Sequence, residues 1–293
     1  MARIAIVGPG AIGGTVAAAL ARGHVHEVVV CARTPFDHLE VDTPTGMLIA
    51  TPRVLLDPGG AVPVDWVLVA TKAYDHAATA LWLQPLRAEG TRIAILQNGV
   101  EHIERFSPYV PAGSLVPVVV NCPAERSLPG RIRLRRTAAL RVPDTADGQA
   151  FVALFAHTEV LVSTVSDFKS ELWRKLCINC AGAVSAILLQ PAGIAKRAAI
   201  ADLMRDLASE CRAVALAEGA VLADDIAESA VALFRNGASD AINSLHADRL
   251  AGRPMEVDAR NGAAVRFGKK HGIATPLNKA ILALLEAVNP DVR

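Results

Sequence analysis

Near the start of the chain, Gly8-Pro9-Gly10-Ala11-Ile12-Gly13 carries the G-x-G-x-x-G spacing of a backbone turn that receives a pyrophosphate. Gly8 permits a tight turn, Gly10 lets the backbone approach the phosphates, and Gly13 lets a helix lie against a strand. The N-terminus of the helix that follows supplies amides and partial positive charge, and Ala11 and Ile12 join the glycines as cofactor-binding residues. Which nicotinamide cofactor fits depends on the residue ending the next strand, where binders of NAD usually place Asp or Glu for the ribose 2′-hydroxyl. This chain reads Val30-Cys31-Ala32-Arg33-Thr34 there, and the planar fork of Arg33 suits a 2′-phosphate, so NADPH is the expected cofactor. Asp37 lies too far along to serve the ribose well. Much later, Lys175 and Asn179 stand four residues apart in an apolar helical pattern and share one face. A lysine in such surroundings either snorkels to solvent or points into a cleft that uses it. Cys177 and Cys180 form a Cys-x-x-Cys within the same pattern. They are away from any strand-to-helix junction and have no second ligand pair, so they read as packing residues, and no metal site is expected.

These groups need elements to hold them. Arg3–Val7 is a short apolar run, the glycine turn follows, residues 15–22 are helical in pattern, Gly23-His24 ends that helix, and Glu27–Cys31 is β-branched. The result is a βαβ unit of about thirty residues, as the dinucleotide turn requires. Further strands are expected at 66–70, 92–96 and 115–120, with a helix over 75–86. Repeated β and α alternation predicts a doubly wound sheet, whose ligands collect beyond the carboxyl ends of the strands. Thr71-Lys72 and Gln97-Asn98-Gly99 fall there and become site candidates, although a solvated loop lysine and a turn signal would read the same way. After Asp167 the pattern turns helical, over 169–189, 196–218, 224–234, 254–270 and 276–288. Pro191 and Gly193 separate two of these helices, Gly272 closes another behind His271, and Thr275-Pro276 places an N-cap and first-turn proline before the last. The expected fold is α/β: an N-terminal Rossmann-type doubly wound sheet over residues 1–166, followed by an all-α C-terminal domain over 167–293.

Bulk properties agree. A chain of 293 residues with 52% hydrophobic and 20% charged residues can bury two cores. A net charge of +1 gives no reason to expect nucleic acid. The basic run at 131–136 alternates with Ile132 and Leu134 and reads as a strand with one solvated face. No stretch reaches the ~18 apolar residues of a membrane span, and the first residues lack the layout of a signal peptide. Five cysteines, odd in number and sparse, fit a reducing cytoplasm. The helical half carries several apolar faces that a homodimer would cover.

Taken together, the glycine turn, Asn98-Gly99, Glu171-Leu172-Trp173-Arg174-Lys175-Leu176 with Asn179, Gly252-Arg253-Pro254-Met255-Glu256-Val257-Asp258, Asn261-Gly262 and His271-Gly272-Ile273-Ala274-Thr275-Pro276 resemble the ketopantoate reductases. The likeness runs nearly end to end. It implies NADPH-dependent reduction of a 2-oxo acid, 2-dehydropantoate to pantoate in pantothenate biosynthesis, in a cleft between a Rossmann and a helical domain. It also implies that Lys175 is catalytic, hydrogen-bonding the ketone oxygen and supplying the proton, and that Glu256 engages the substrate hydroxyl. By pattern alone Glu256 would be an acid near a helix N-terminus. By the same resemblance Asn98 and Asn179 are amide ligands near substrate and nicotinamide ribose, Ser244 is a hydroxyl near the substrate carboxylate, and Arg33 with Lys72 faces the 2′-phosphate.

Two departures stand out. Ala183-Val184 occupies the place of an Asn-Pro pair common in the family, and Asn243-Ser244-Leu245 keeps only the second serine of the usual Ser-Ser-Met. Losing a polar group built for a substrate oxygen costs on the order of 1 to 3 kcal/mol, enough to shift preference among oxo acids. A reductase of another oxo acid or of an imine is therefore a second reading. A non-catalytic NADPH sensor is a third, which would need the glycine turn and Arg33 but neither Lys175 nor Glu256.

Overall fold

The strand alternation of the first half resolves into a sheet covered on both faces. In the computed structural model, which describes residues 1–290, Ile4, Ile6, Val28, Val30, Trp66 and Leu68 enter one apolar cluster. Their neighbours Ala5, Val7, Cys31, Val67 and Val69 enter another. Period-two burial on both faces is what an interior parallel strand requires.

In chain order the first half contains β1 (Arg3–Val7), α1 (Ala11–Ala21), β2 (Glu27–Cys31), β3 (Leu39–Thr43), β4 (Gly46–Ala50) and β5 (Arg53–Leu55). It continues with β6 (Trp66–Val69), α2 (His76–Leu86), β7 (Arg92–Ile95), α3 (His102–Phe106), β8 (Leu115–Pro117) and β9 (Val119–Asn121). It closes with β10 (Ala124–Leu128), β11 (Arg131–Leu134), β12 (Ala139–Pro143), α4 (Ala146–Leu154) and β13 (Leu161–Val165). Six strands form a parallel sheet in the order β5-β2-β1-β6-β7-β8. This is the order of a dinucleotide-binding sheet, whose direction of winding reverses between β1 and β6. A second sheet, β10-β11-β3-β4, lies over α1, and β9, β12 and β13 make a third. Helix α1 is buried from Gly13 through Leu20 because it is covered by a sheet on two sides. A Cβ on Gly14 would stand 2.2 Å from Ile132 Cδ1 of the second sheet.

Several expectations need correction. Helix α1 begins at Ala11, with Gly10 as its N-cap, so the glycine turn and the helix overlap. The strand over 115–120 is two strands: the Val118 amide still donates to the Ile95 carbonyl, after which the chain leaves for β12. Pro117 has no amide to extend the ladder. The basic run, by contrast, is a strand as expected: β11 has Ile132 and Leu134 buried and Arg131 and Arg133 exposed.

The chain divides into two compact units, Met1–Phe168 and a second from Lys169 onward. The second unit is built from helices: α5 (Phe168–Leu188), α6 (Ala198–Ala217), α7 (Ile226–Asn236), α8 (Ser244–Leu250), α9 (Ala263–His271) and α10 (Pro276–Ala287). The helix expected over 254–270 starts late. Pro254 has no amide, and the Met255 amide donates to Asn289 Oδ1 at 2.7 Å instead of a helical carbonyl. Helical winding then begins as a π-turn, Asp258–Gly262, in which the Gly262 amide reaches the Val257 carbonyl. Thr275 makes no capping bond at the start of α10. Glu210 of α6 does so, accepting the Leu277 and Asn278 amides, each at 2.9 Å. Among the described residues, no helix is long and apolar enough to cross a membrane.

Candidate functional site

In the first unit the candidate residues gather at the carboxyl ends of β1, β2, β6 and β7. Gly8 has φ +90°, and a Cβ there would lie 2.8 Å from the Thr71 amide nitrogen, so the turn after β1 rests on the end of β6. A Cβ on Gly13 would lie 2.2 Å from the Gly8 carbonyl oxygen, which locks helix to turn. Gly10 differs, since a Cβ there would meet nothing within 4 Å. Its backbone faces open space at the first turn of α1, and no side chain caps that turn. The amides of Ala11, Ile12 and Gly13 precede the first helical donor, Gly14, which bonds to the Gly10 carbonyl at 2.9 Å. An open backbone and an uncapped helix start at the switch between β1 and β6 fit a pyrophosphate.

Around this turn Gln97 ties two strand ends together, its Nε2 donating to Thr71 Oγ1 at 3.0 Å and to the Lys72 carbonyl at 3.2 Å. Lys72 and Asn98 are thereby held on one rim, with Gly99 at φ +113° completing the second loop. Arg33 follows β2 with its side chain 84% exposed, 3.7 Å from Asp75 Oδ2. The Cys31 thiol is pushed up to about 12 by burial, which leaves it a packing group.

In the second unit Lys175 and Asn179 lie on α5 as their spacing requires, the lysine half-buried and the asparagine 8% exposed. Asn179 Nδ2 has no hydrogen-bond partner. Trp173 fixes this part of the helix by packing edge-on against Phe267 of α9 at 5.4 Å. Glu256 is buried in the segment before the π-turn. Ser244 begins α8, whose N-cap Asn243 accepts the His246 amide through Oδ1. Asn243 Nδ2 donates to the Gly182 carbonyl at 2.7 Å and to Ser185 Oγ at 3.1 Å, so α8 starts beside the α5 stretch that contains Ala183. Cys177 and Cys180 are fully buried, and hydrogen bonds with them, together with burial, hold the Cys211 thiol far above the ordinary range.

One residue of this region escapes the sequence reading. Arg260, in the π-turn, is 3% exposed and donates through Nη2 to Ser244 Oγ at 2.7 Å. Burial pulls its guanidinium below the ordinary value, opposed by the nearby carboxylates of Glu256 and Asp248. An arginine between Ala259 and Asn261 in a helical pattern looks like a solvated charge. The signal against that reading was the apolar and small company of Val257, Ala259 and Gly262.

Fold and site define a Rossmann-type nucleotide-binding protein with a helical second unit. The ketopantoate reductase PanE/ApbA family matches residues 4–147, and the C-terminal part of the same family matches residues 167–289. A 2-dehydropantoate 2-reductase of Caulobacter vibrioides is 54% identical over 287 residues, covering 98% of this chain and 99% of its own. That of Mycobacterium tuberculosis is 38% identical, with 98% and 97% covered. The crystal structure of a PanE/ApbA family ketopantoate reductase from Ralstonia eutropha JMP134 superposes with a TM-score of 0.90 at 32% identity, over 98% of both chains. The chain belongs to the ketopantoate reductase family, and is an oxidoreductase of that family.

Proposed function

We propose that the chain reduces 2-dehydropantoate to pantoate with NADPH, the step that makes this 2-hydroxy acid for pantothenate biosynthesis. The observation that carries the reading is the open Gly10 backbone at the uncapped start of α1, with the exposed Arg33 fork at the end of the neighbouring strand. Gly10 and the amides that follow it bind the pyrophosphate, while Arg33 and Lys72 meet the 2′-phosphate that distinguishes NADPH from NADH. Asn98 serves the nicotinamide ribose and the substrate.

Bound NADPH supplies the hydride that reaches the ketone carbon. Lys175 donates a hydrogen bond to the ketone oxygen and gives up the proton as that oxygen becomes an alkoxide, so charge that develops in the transition state meets an ammonium. Glu256 accepts a hydrogen bond from the substrate hydroxyl. Asn179 Nδ2 offers a buried donor to substrate oxygen, and Ser244 offers a hydroxyl to the carboxylate.

The test follows NADPH oxidation by absorbance with 2-dehydropantoate and a panel of other 2-oxo acids, each repeated with NADH. Turnover of 2-dehydropantoate with kcat/KM of ~10⁴ M⁻¹s⁻¹ or above is expected. Lys175→Ala abolishes that turnover and leaves NADPH affinity nearly intact, because the lysine acts on substrate. Arg33→Ala weakens NADPH far more than NADH. A fast reaction with another oxo acid and a slow one with 2-dehydropantoate would refute the substrate, and an equal loss of NADPH affinity in Lys175→Ala would refute the role of the lysine.

A further inference from the structure

We propose that Arg260 binds the substrate carboxylate together with Ser244 and so determines the enzyme's specificity for acids; the inference rests on the 2-oxo acid reductase reading above. Arg260 is buried, and its Nε has no hydrogen-bond partner. Among the described residues, it is the one arginine with a buried donor left in this state. Other arginines of the second unit are spent on fixed partners: Arg253 Nε on Asp248 Oδ1 at 3.1 Å, Arg205 on Asp202 and Glu228, Arg249 on the Ala186 and Ile187 carbonyls. A buried cation with an idle donor is costly unless an anion completes it, and a guanidinium fork matches a carboxylate with two parallel bonds.

Position carries the argument further. The hydrogen bond of Arg260 goes to Ser244 Oγ, the hydroxyl expected beside the substrate carboxylate. Asn243, the residue before that serine, is bonded to the Gly182 carbonyl, the residue before Ala183. The π-turn itself meets α5 at Cys180, where Asn261 Nδ2 donates to the carbonyl at 3.5 Å. Arg260 therefore enters the same small region from which Ala183 has removed the family's amide. A neutral donor is lost from α5, and a charged, forked one is supplied by the π-turn. The carboxylates of Glu256 and Asp248 oppose the effect of burial on the guanidinium without using its Nε.

The experiment removes the charge from either side. Wild type, Arg260→Gln and Arg260→Lys are assayed with ketopantoate and with its uncharged amide, and pantoate is titrated calorimetrically into each protein loaded with NADP⁺. Breaking a buried charge pair predicts a loss on the order of 100-fold in kcat/KM for the acid with Arg260→Gln, mostly through KM. The amide reaction, the NADPH affinity and the melting temperature change little. Arg260→Lys keeps a charge but not the fork, and so loses roughly tenfold on the acid alone; it carries the test if the glutamine variant does not melt cooperatively. Equal losses on acid and amide, or folded variants that bind pantoate as wild type does, overturn the assignment while leaving the reductase intact. A wild type that neither reduces ketopantoate nor binds pantoate overturns the reductase reading itself.

Discussion

Two glycines of one turn separate folding from binding. A methyl on Gly13 would press 2.2 Å from a backbone oxygen and 2.9 Å from Ala70 Cβ, and neither can yield cheaply. Gly13→Ala should cost about 1–3 kcal/mol of stability, several degrees of melting temperature, before any cofactor is added. A methyl on Gly10 meets only open space. Gly10→Ala should melt like wild type yet bind NADPH roughly tenfold or more weakly, the equivalent of about 1.4 kcal/mol of lost approach. Thermal melts and fluorescence titration of both variants check this, and a Gly10→Ala protein with undiminished affinity would remove the turn from the cofactor site. The turn was legible in the sequence because its demands are local and covalent. Lys175 and Asn179 were legible as a pair for the same reason, since helical spacing alone puts them on one face. Arg260 was not, because its partner Ser244 lies in α8, outside the local pattern around the π-turn.

At the level of elements, the last turns of α6 and α9 meet at Glu218. This carboxylate accepts Lys270 Nζ at 2.6 Å and His271 Nε2, and the Glu218 backbone carbonyl accepts Lys169 Nζ at 2.9 Å. Partial burial pushes the carboxyl up, but the hydrogen bonds and charges of Lys270 and His271 outweigh it and hold the group below the ordinary carboxylate range. A carboxyl depressed in the folded state contributes stability that is fully present above its unfolded value, about 4.3, and is lost as pH falls through the folded one. Melting temperatures measured from pH 6 down to pH 3 should therefore drop less steeply for Glu218→Gln than for wild type. Parallel curves would show that the cluster contributes nothing. Long helices and the interior strands could be read from periodicity; β3, β4, β10, β12 and β13 could not, because most of their residues stay partly or fully exposed and leave no clean burial pattern, and α8, at seven residues, is too brief to stand out from loop. The late helix start after Pro254 and the missing side-chain bond at Thr275, which is the N-cap residue as expected, share one cause. Asn289 and Glu210 satisfy the backbone amides there, and no local pattern announces partners so distant in the chain.

For the molecule as a whole, every residue assigned to the cofactor, from Gly8 to Asn98, lies in the first compact unit. A fragment of residues 1–168 should fold, bind NADPH in a fluorescence titration and reduce nothing, since Lys175 and Glu256 are absent from it. A fragment that folds without binding NADPH would show that the glycine turn and Arg33 do not suffice. The two-part organisation was legible from the change of periodicity after Asp167, whereas the sheet over α1 was not, because its central pairing joins distant strands. That pairing also bears on how the protein is made. Strand β3 finds its parallel neighbour in β11, with Glu40 opposite Arg131. On the ribosome, α1 and half of its cover emerge long before the other half exists. Until Leu134 has cleared the exit tunnel, the nascent chain exposes the apolar face of α1. A translational stall in that interval would leave a client for chaperones, not a folded domain.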